Sequence, residues 1–237
     1  PDDTHTQRTG TTSDARTSRT GARHSRAASD QSVGNGQLSR ESRDRASAPT
    51  RSDFVDRLRG IYPALLTPMH DSGKINFAEL DRLTDWLLTQ GIHGLYVGGT
   101  SGEGLLLEPN EREEVVEHVI KISRGRGKVM VHVGAIGTAE AVQLAQHAER
   151  SGADAIAAVP PFAFGRNLAG ISAHYGAIAR SCGLPLYLYN IPSLTAVNLR
   201  ADDIARLAEL PNVCGLKFSD YDLFEEFKII SLEKKLD

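Results

Sequence analysis

The residue that most invites a chemical interpretation is Lys217, which lies in the apolar run Val213-Cys214-Gly215-Leu216-Lys217-Phe218. A lysine buried in such a run costs free energy unless it is paired or neutral. Burial favours the uncharged amine. An uncharged amine is a nucleophile that can condense with a ketone to a Schiff base. The alternative is structural: the side chain reaches the rim of its strand, or pairs with Asp220 or Glu103. The strand pattern alone leaves both open.

Two further segments have chemical potential. Gly98-Gly99-Thr100-Ser101-Gly102-Glu103-Gly104 follows an apolar run directly. Glycines let a backbone approach a ligand closely, and consecutive N–H groups there can hold a carboxylate or phosphate. No Gly-Lys-Ser/Thr follows, so this is not a P-loop, and a plain flexible turn is the competing interpretation. Tyr189 ends another apolar run, in Tyr189-Asn190-Ile191-Pro192. Its phenol could exchange a proton at a strand end, or simply pack with its hydroxyl wet. The histidines form no metal-ligand spacing. His118, His147 and His174 fall on separate helical segments and are expected on solvated faces; His132 lies in a strand and is expected as a hydrogen-bonded core residue. Cys214 is expected as a small buried hydrophobe.

These residues are carried by a repeating pattern. Short apolar runs at 61–66, 94–97, 129–133, 155–159, 184–189 and 213–218 alternate with helix-like segments, one run about every 30 residues. Contiguous apolar runs of this length suit strands covered on both faces. Strand–helix alternation implies a parallel sheet, either doubly wound or a (β/α)8 barrel. Gly, Thr, Ser, Pro and Tyr crowd several strand ends, and a barrel gathers its reactive groups at the C-terminal ends of many strands. The expected fold is therefore α/β, a (β/α)8 barrel cut short after the sixth strand. Asn110 is expected to start one helix and Thr138 to cap another, Leu80, Leu83, Trp86 and Leu87 to form a buried stripe, and 221–237 to form a last helix.

Bulk properties set limits. The 237 residues are 40% hydrophobic and 24% charged, with a formal charge of -3, which gives no reason to expect nucleic acid or an anionic membrane as partner. Two cysteines make no disulfide framework, so a reducing, cytoplasmic location is expected. No apolar run approaches the roughly 20 residues that span a bilayer. Residues 1–52 contain no Phe, Tyr, Trp, Ile or Met and are expected to be a disordered polar tail preceding a partial barrel domain over 53–237. Their scattered acids argue against a transit peptide and against an RNA-binding arm. A first residue of Pro suggests a fragment or a processed product.

Taken together, GLYVGGTSGEG at 94–104, LYNIP at 188–192 and GLKFSD at 215–220 resemble the N-acetylneuraminate lyase and dihydrodipicolinate synthase family of pyruvate-dependent class I aldolases. EREEVVEHVI at 111–120 and the stretch 131–162 are also similar to that family. The resemblance implies that Lys217 forms an imine with pyruvate or the keto group of the substrate, and that Tyr189 moves the proton during C–C cleavage or formation. Thr100 and Ser101, with neighbouring backbone N–H groups such as that of Gly99, would bind the pyruvate-derived carboxylate, and Ser219 would line the pocket. It implies no metal or organic cofactor, since the protonated imine is itself the electron sink, and a homotetramer for full-length members.

Within the family, synthases usually carry an arginine five residues after the catalytic tyrosine; here that position is Leu194, as in the sialic-acid lyase branch. Pro160-Pro161-Phe162-Ala163-Phe164 lacks the paired tyrosines usual in the synthases, and also the single tyrosine that lyases often keep. The resemblance therefore implies a lyase cleaving N-acetylneuraminate to N-acetylmannosamine and pyruvate, or a related 2-keto acid lyase, ahead of a 4-hydroxy-tetrahydrodipicolinate synthase. Six strands leave two open edges, so a catalytically inactive barrel fragment is the competing expectation.

Overall fold

The structure is a computed structural model and describes residues 51–162 and 167–236. The expected disorder of the polar segment falls, over 1–50, outside the described residues, as do Ala163 and Phe164. The elements run α1 (Arg51–Arg57), α2 (Phe77–Thr89), β1 (Gly94–Val97), α3 (Pro109–Ser123), β2 (Lys128–His132), α4 (Thr138–Ser151), β3 (Ala155–Ala158), α5 (Leu168–Ser181), β4 (Leu186–Asn190), α6 (Pro192–Thr195), α7 (Ala201–Leu207), β5 (Val213–Phe218) and α8 (Leu223–Leu236).

The five strands are parallel and lie side by side in chain order, β1-β2-β3-β4-β5. A doubly wound sheet reverses direction at a switch point. Here every crossover steps the same way, which is the order of a (β/α)8 barrel. The sequence pattern leaves this choice open; the strand order decides it.

The run 61–66 is not a strand, so the described residues hold five strands and not six. It lies beside β1, where only Ala64 bridges to Tyr96. Tyr96 N–H donates to Pro63 O, and Leu65 N–H to Tyr96 O, both at 2.9 Å. One step earlier, Gly94 N–H still reaches Ile61 O at 3.3 Å. The matching bond back to β1 would have to come from the nitrogen of Pro63, which carries no hydrogen. The ladder therefore stops at one bridge.

Alternate strand residues face opposite sides of the sheet. Outward, Leu95, Val97, Val129, Val131, Ile156, Ala158, Leu186 and Leu188 are buried against the helices. Inward, Tyr96, Met130, Ala155, Ala157 and Tyr189 form a second cluster with Leu58 and Val159. Strands sit about 4.8 Å apart, so β1 and β4 would be about 14 Å apart in a flat sheet. Yet the rings of Tyr96 and Tyr189 meet edge-on with centroids 6.1 Å apart. The sheet is curled, and the small Ala155 and Ala157 on the intervening β3 leave room across its concave side.

Several helical details differ from expectation. α3 begins at Pro109, one residue before Asn110, because proline suits the first helical position and Glu108 N–H is held by the Glu111 carboxylate at 3.0 Å. Gly137 is the cap of α4, and Thr138, its first residue, bonds His174 Nδ1 through Oγ1 at 2.9 Å. His174 and His147 are consequently buried and not solvated; His147 sits between α3 and α4 with Glu117 Oε1 at 3.0 Å. Trp86 is exposed, since the buried stripe of α2 runs through Leu80 and Thr84, with Leu83 and Leu87 packed alongside. Cys214 is only half-buried, on the edge strand β5. α8 starts at Leu223, two residues later than expected, and turns Leu223, Phe224, Phe227 and Ile230 to the surface. No helix among the described residues is long and apolar enough to cross a membrane.

Candidate active site

Parallel pairing of β4 with β5 places Tyr189 directly beside Lys217. Both face the concave side, so the two side chains leave their strands together. Lys217 Nζ stands 3.6 Å from the centroid of the Tyr189 ring and 5.3 Å from that of Tyr96. It donates to Ser219 Oγ at 3.0 Å. Neither Asp220 nor Glu103 forms an ion pair with it among the described residues. Thr100 Oγ1 lies 3.5 Å from Tyr189 Oη, which brings the loop after β1 to the same spot.

That loop has a fixed shape. Gly98 has φ +69°, and a Cβ at Gly104 would fall 1.9 Å from Gly98 O, so glycine is required at both places. Glu103 takes φ 55°, rare for an L-residue other than Asn or Asp. The N–H groups of Gly102, Glu103 and Gly104 are spent inside the loop on the carbonyls of Gly99, Thr100 and Gly99. Those of Thr100 and Ser101 have no protein acceptor among the described residues, and both residues are exposed to solvent. Two adjacent free N–H groups and two hydroxyls suit a carboxylate.

Electrostatics around Tyr189 are mixed. Burial pushes its phenol up, but hydrogen bonding with Lys217, Thr100 and Ser219 and the Lys217 charge outweigh burial, and the net shift is below the ordinary tyrosine value. Tyr96 goes the other way: burial and the neighbouring Tyr189 hold it well above. His132 is buried, and burial together with the Arg112 charge lowers its pKa to about 3, against a partial offset from its bond to Gly98. A phenol eased toward ionisation therefore sits above a phenol and an imidazole held neutral.

Of the residues singled out in the sequence, Lys217, Tyr189, Thr100 and Ser219 form one contact set. Gly99 lies beneath them, so close to the Tyr96 ring that a Cβ would be 2.4 Å from it. Ser101, on the loop after β1, and Leu194, in α6 after β4, are exposed at the same end of the sheet but outside that set. Phe162 packs against the inner cluster containing Tyr189. Sequence reasoning missed Tyr96 and Thr67. Thr67 Oγ1 donates to Gly102 O at 2.7 Å and pins the loop from the segment before α2. The inward alternation of β1 points to Tyr96; no pattern points to Thr67, whose partner is a backbone carbonyl.

A broad depression between α2 and α3, lined by Leu83, Trp86, Ile122, Arg124 and Arg126, lies on the helical side. Two of the arginines there are paired, Arg126 with Asp85 at 2.8 Å and Arg82 with Glu79 at 2.7 Å. Lys217 and its hydroxyl neighbours are on the concave side.

Comparison with known proteins points the same way. The family model described as the dihydrodipicolinate synthetase family matches residues 57–236. An N-acetylneuraminate lyase of Escherichia fergusonii is 44% identical over 173 residues, which is 73% of this chain and 58% of that protein. The chain thus spans less than two thirds of the length of such relatives. A dihydrodipicolinate synthase of Acinetobacter baumannii, solved in complex with pyruvate, superposes with a TM-score of 0.72 at 35% identity, over 75% of this chain and 62% of the other. The Clostridium difficile protein CdNal, solved with mannosamine, gives 0.70 at 31%, over 76% and 61%.

Proposed function

The chain belongs to the dihydrodipicolinate synthetase family, and on that premise we propose that it carries the Schiff-base site of a class I lyase that cleaves a 2-keto sugar acid to pyruvate and an aldehyde. N-acetylneuraminate, giving N-acetylmannosamine, is the substrate we assign. The observation that carries the assignment is the pairing of Lys217 with Tyr189 on adjacent strands, with Nζ 3.6 Å from the ring.

The steps balance without a cofactor. The unprotonated Lys217 amine adds to the keto carbon, the carbonyl oxygen leaves as water with the two amine hydrogens, and the nitrogen takes up one proton from solvent to give a protonated imine. Tyr189, as phenolate or through Thr100, takes the proton from the hydroxyl on the carbon two bonds away. The bond between that hydroxyl-bearing carbon and the carbon next to the imine breaks, its electron pair forms the enamine double bond as the imine π pair moves to nitrogen, and the aldehyde departs. The enamine regains a proton at carbon, and water hydrolyses the imine to pyruvate and free lysine. Thr100, Ser101 and their N–H groups hold the carboxylate, and Ser219 orients Nζ.

Leu194 supports the sugar-acid substrate over a condensation with aspartate semialdehyde, because a leucine offers no charge for a second carboxylate. A direct comparison of the two reactions on one preparation tests this. We expect cleavage of N-acetylneuraminate to exceed condensation; equal or faster condensation overturns the substrate assignment. The same proposal includes a reducing, cytoplasmic setting, compatible with free thiols at Cys182 and Cys214. It also includes a homotetramer, which sedimentation of the chain checks.

A further inference from the structure

His132 takes no part in these steps, yet it is nearly fully buried directly behind them. Its ring meets Tyr189 edge-on with centroids 5.9 Å apart and tilts against Tyr96 at 6.2 Å. Its Nδ1 is 3.1 Å from Gly98 O, the first carbonyl of the loop that bears Thr100 and Ser101. A carbonyl only accepts, so Nδ1 carries the hydrogen and Nε2 is the bare nitrogen. Nε2 has no protein partner among the described residues, and Gly134 is pressed so near that a Cβ there would lie 2.7 Å from it. The backbone is fixed as well: buried Arg112 donates from Nη2 to His132 O at 2.8 Å. Tyr96, leaning on His132, in turn lies beneath Gly99. Both residues that open the loop therefore rest on this one imidazole, Gly98 by a hydrogen bond and Gly99 through a ring.

We propose that His132 is a positioning residue that sets the 98–104 loop for the substrate carboxylate through its Nδ1–H bond to Gly98. This rests on the carboxylate role given to Thr100 and Ser101 above. A purely structural histidine would change stability without changing carboxylate affinity. A positioning one changes the concentration of 2-keto acid needed, and little else, because Lys217 stays in place.

The two nitrogens can be separated by substitution. Asparagine keeps a donor near the position of Nδ1; glutamine places its amide nearer that of Nε2. The test is borohydride trapping of pyruvate on the whole chain, with rate followed against pyruvate concentration and the adduct mapped to Lys217. His132→Ala should raise the half-saturating pyruvate about tenfold, as for one lost buried hydrogen bond, and leave the saturated rate within about twofold. His132→Asn should restore it, and His132→Gln should not. Trapping of acetone, which has no carboxylate, should be alike in all four proteins. Unchanged half-saturation in all the variants overturns the proposal, as does rescue by glutamine in place of asparagine, or an equal defect with acetone. An alanine variant that fails to fold leaves the asparagine and glutamine comparison to decide. No adduct in the folded wild-type chain is a different failure: it removes the imine chemistry itself, and with it the role of the loop.

Discussion

The outer and inner faces of the same five strands carry different kinds of residue. Outward positions hold Leu95, Val97, Val131, Ile156 and Leu188, all aliphatic and closed off by helices. Inward positions hold Tyr96, His132, Tyr189 and Lys217 beside the apolar Met130, Ala155 and Ala157, and Tyr96 Oη and His132 Nε2 lack a protein hydrogen-bond partner among the described residues. Buried polar groups without partners cost stability. The outer face is what aliphatic packing alone selects; the inner face departs from it at the residues to which we assign the chemistry.

Exchange of Lys217 or Tyr189 should cost activity and spare the fold. Lys217→Met should lower cleavage of N-acetylneuraminate by more than about a thousandfold, the scale expected for loss of a covalent nucleophile, with a urea midpoint no lower than wild type. A large drop in the midpoint would show that the inner face is structural after all. Tyr189→Phe removes one oxygen and should lower turnover by about a hundredfold to ten-thousandfold. Borohydride trapping of pyruvate should continue in that variant, since the nucleophile remains; loss of both would place Tyr189 in imine formation too.

The outer face should respond in the opposite sense. Leu188 is 1% exposed, and Leu188→Ala should lower stability by about 2–5 kcal/mol while the folded fraction keeps its trapping rate. A changed rate per folded molecule would mean the faces are not separable.

What the sequence disclosed follows the same division. β1 to β4 are legible as unbroken apolar runs because both faces are covered. Lys217 and Tyr189 are legible because a polar group interrupts or ends such a run. The failed strand at 61–66 has the same apolar content, but it turns on one missing N–H at Pro63, which composition does not weigh. His147 and His174 were misplaced because their partners, Glu117 and Thr138, lie on neighbouring helices. His132 was placed in the core, but its tie to Gly98 O and its position behind Tyr189 depend on a backbone carbonyl that no side-chain pattern names.

The smallest effect is electrostatic. In the folded chain His132 titrates near 3, below its ordinary value of 6.5. The unfolded chain therefore takes up the proton first on acidification. The stability this neutral histidine contributes is complete above about pH 6.5 and is lost progressively as pH falls toward 3, by at most about 1.4 kcal/mol per pH unit. Urea midpoints between pH 7 and 4 should fall more steeply for wild type than for His132→Asn. Parallel lines would mean that His132 is not held neutral by burial and Arg112.

Chemistry concentrated on one lysine of the inner face is the central claim, and one measurement tests it most directly. The folded 237-residue chain is incubated with pyruvate, reduced with borohydride and digested, and every lysine is examined by mass spectrometry. The account predicts a reduced pyruvate adduct on the peptide bearing Lys217, absent from Lys217→Met. A folded chain with no adduct, or with an adduct spread over surface lysines, contradicts it.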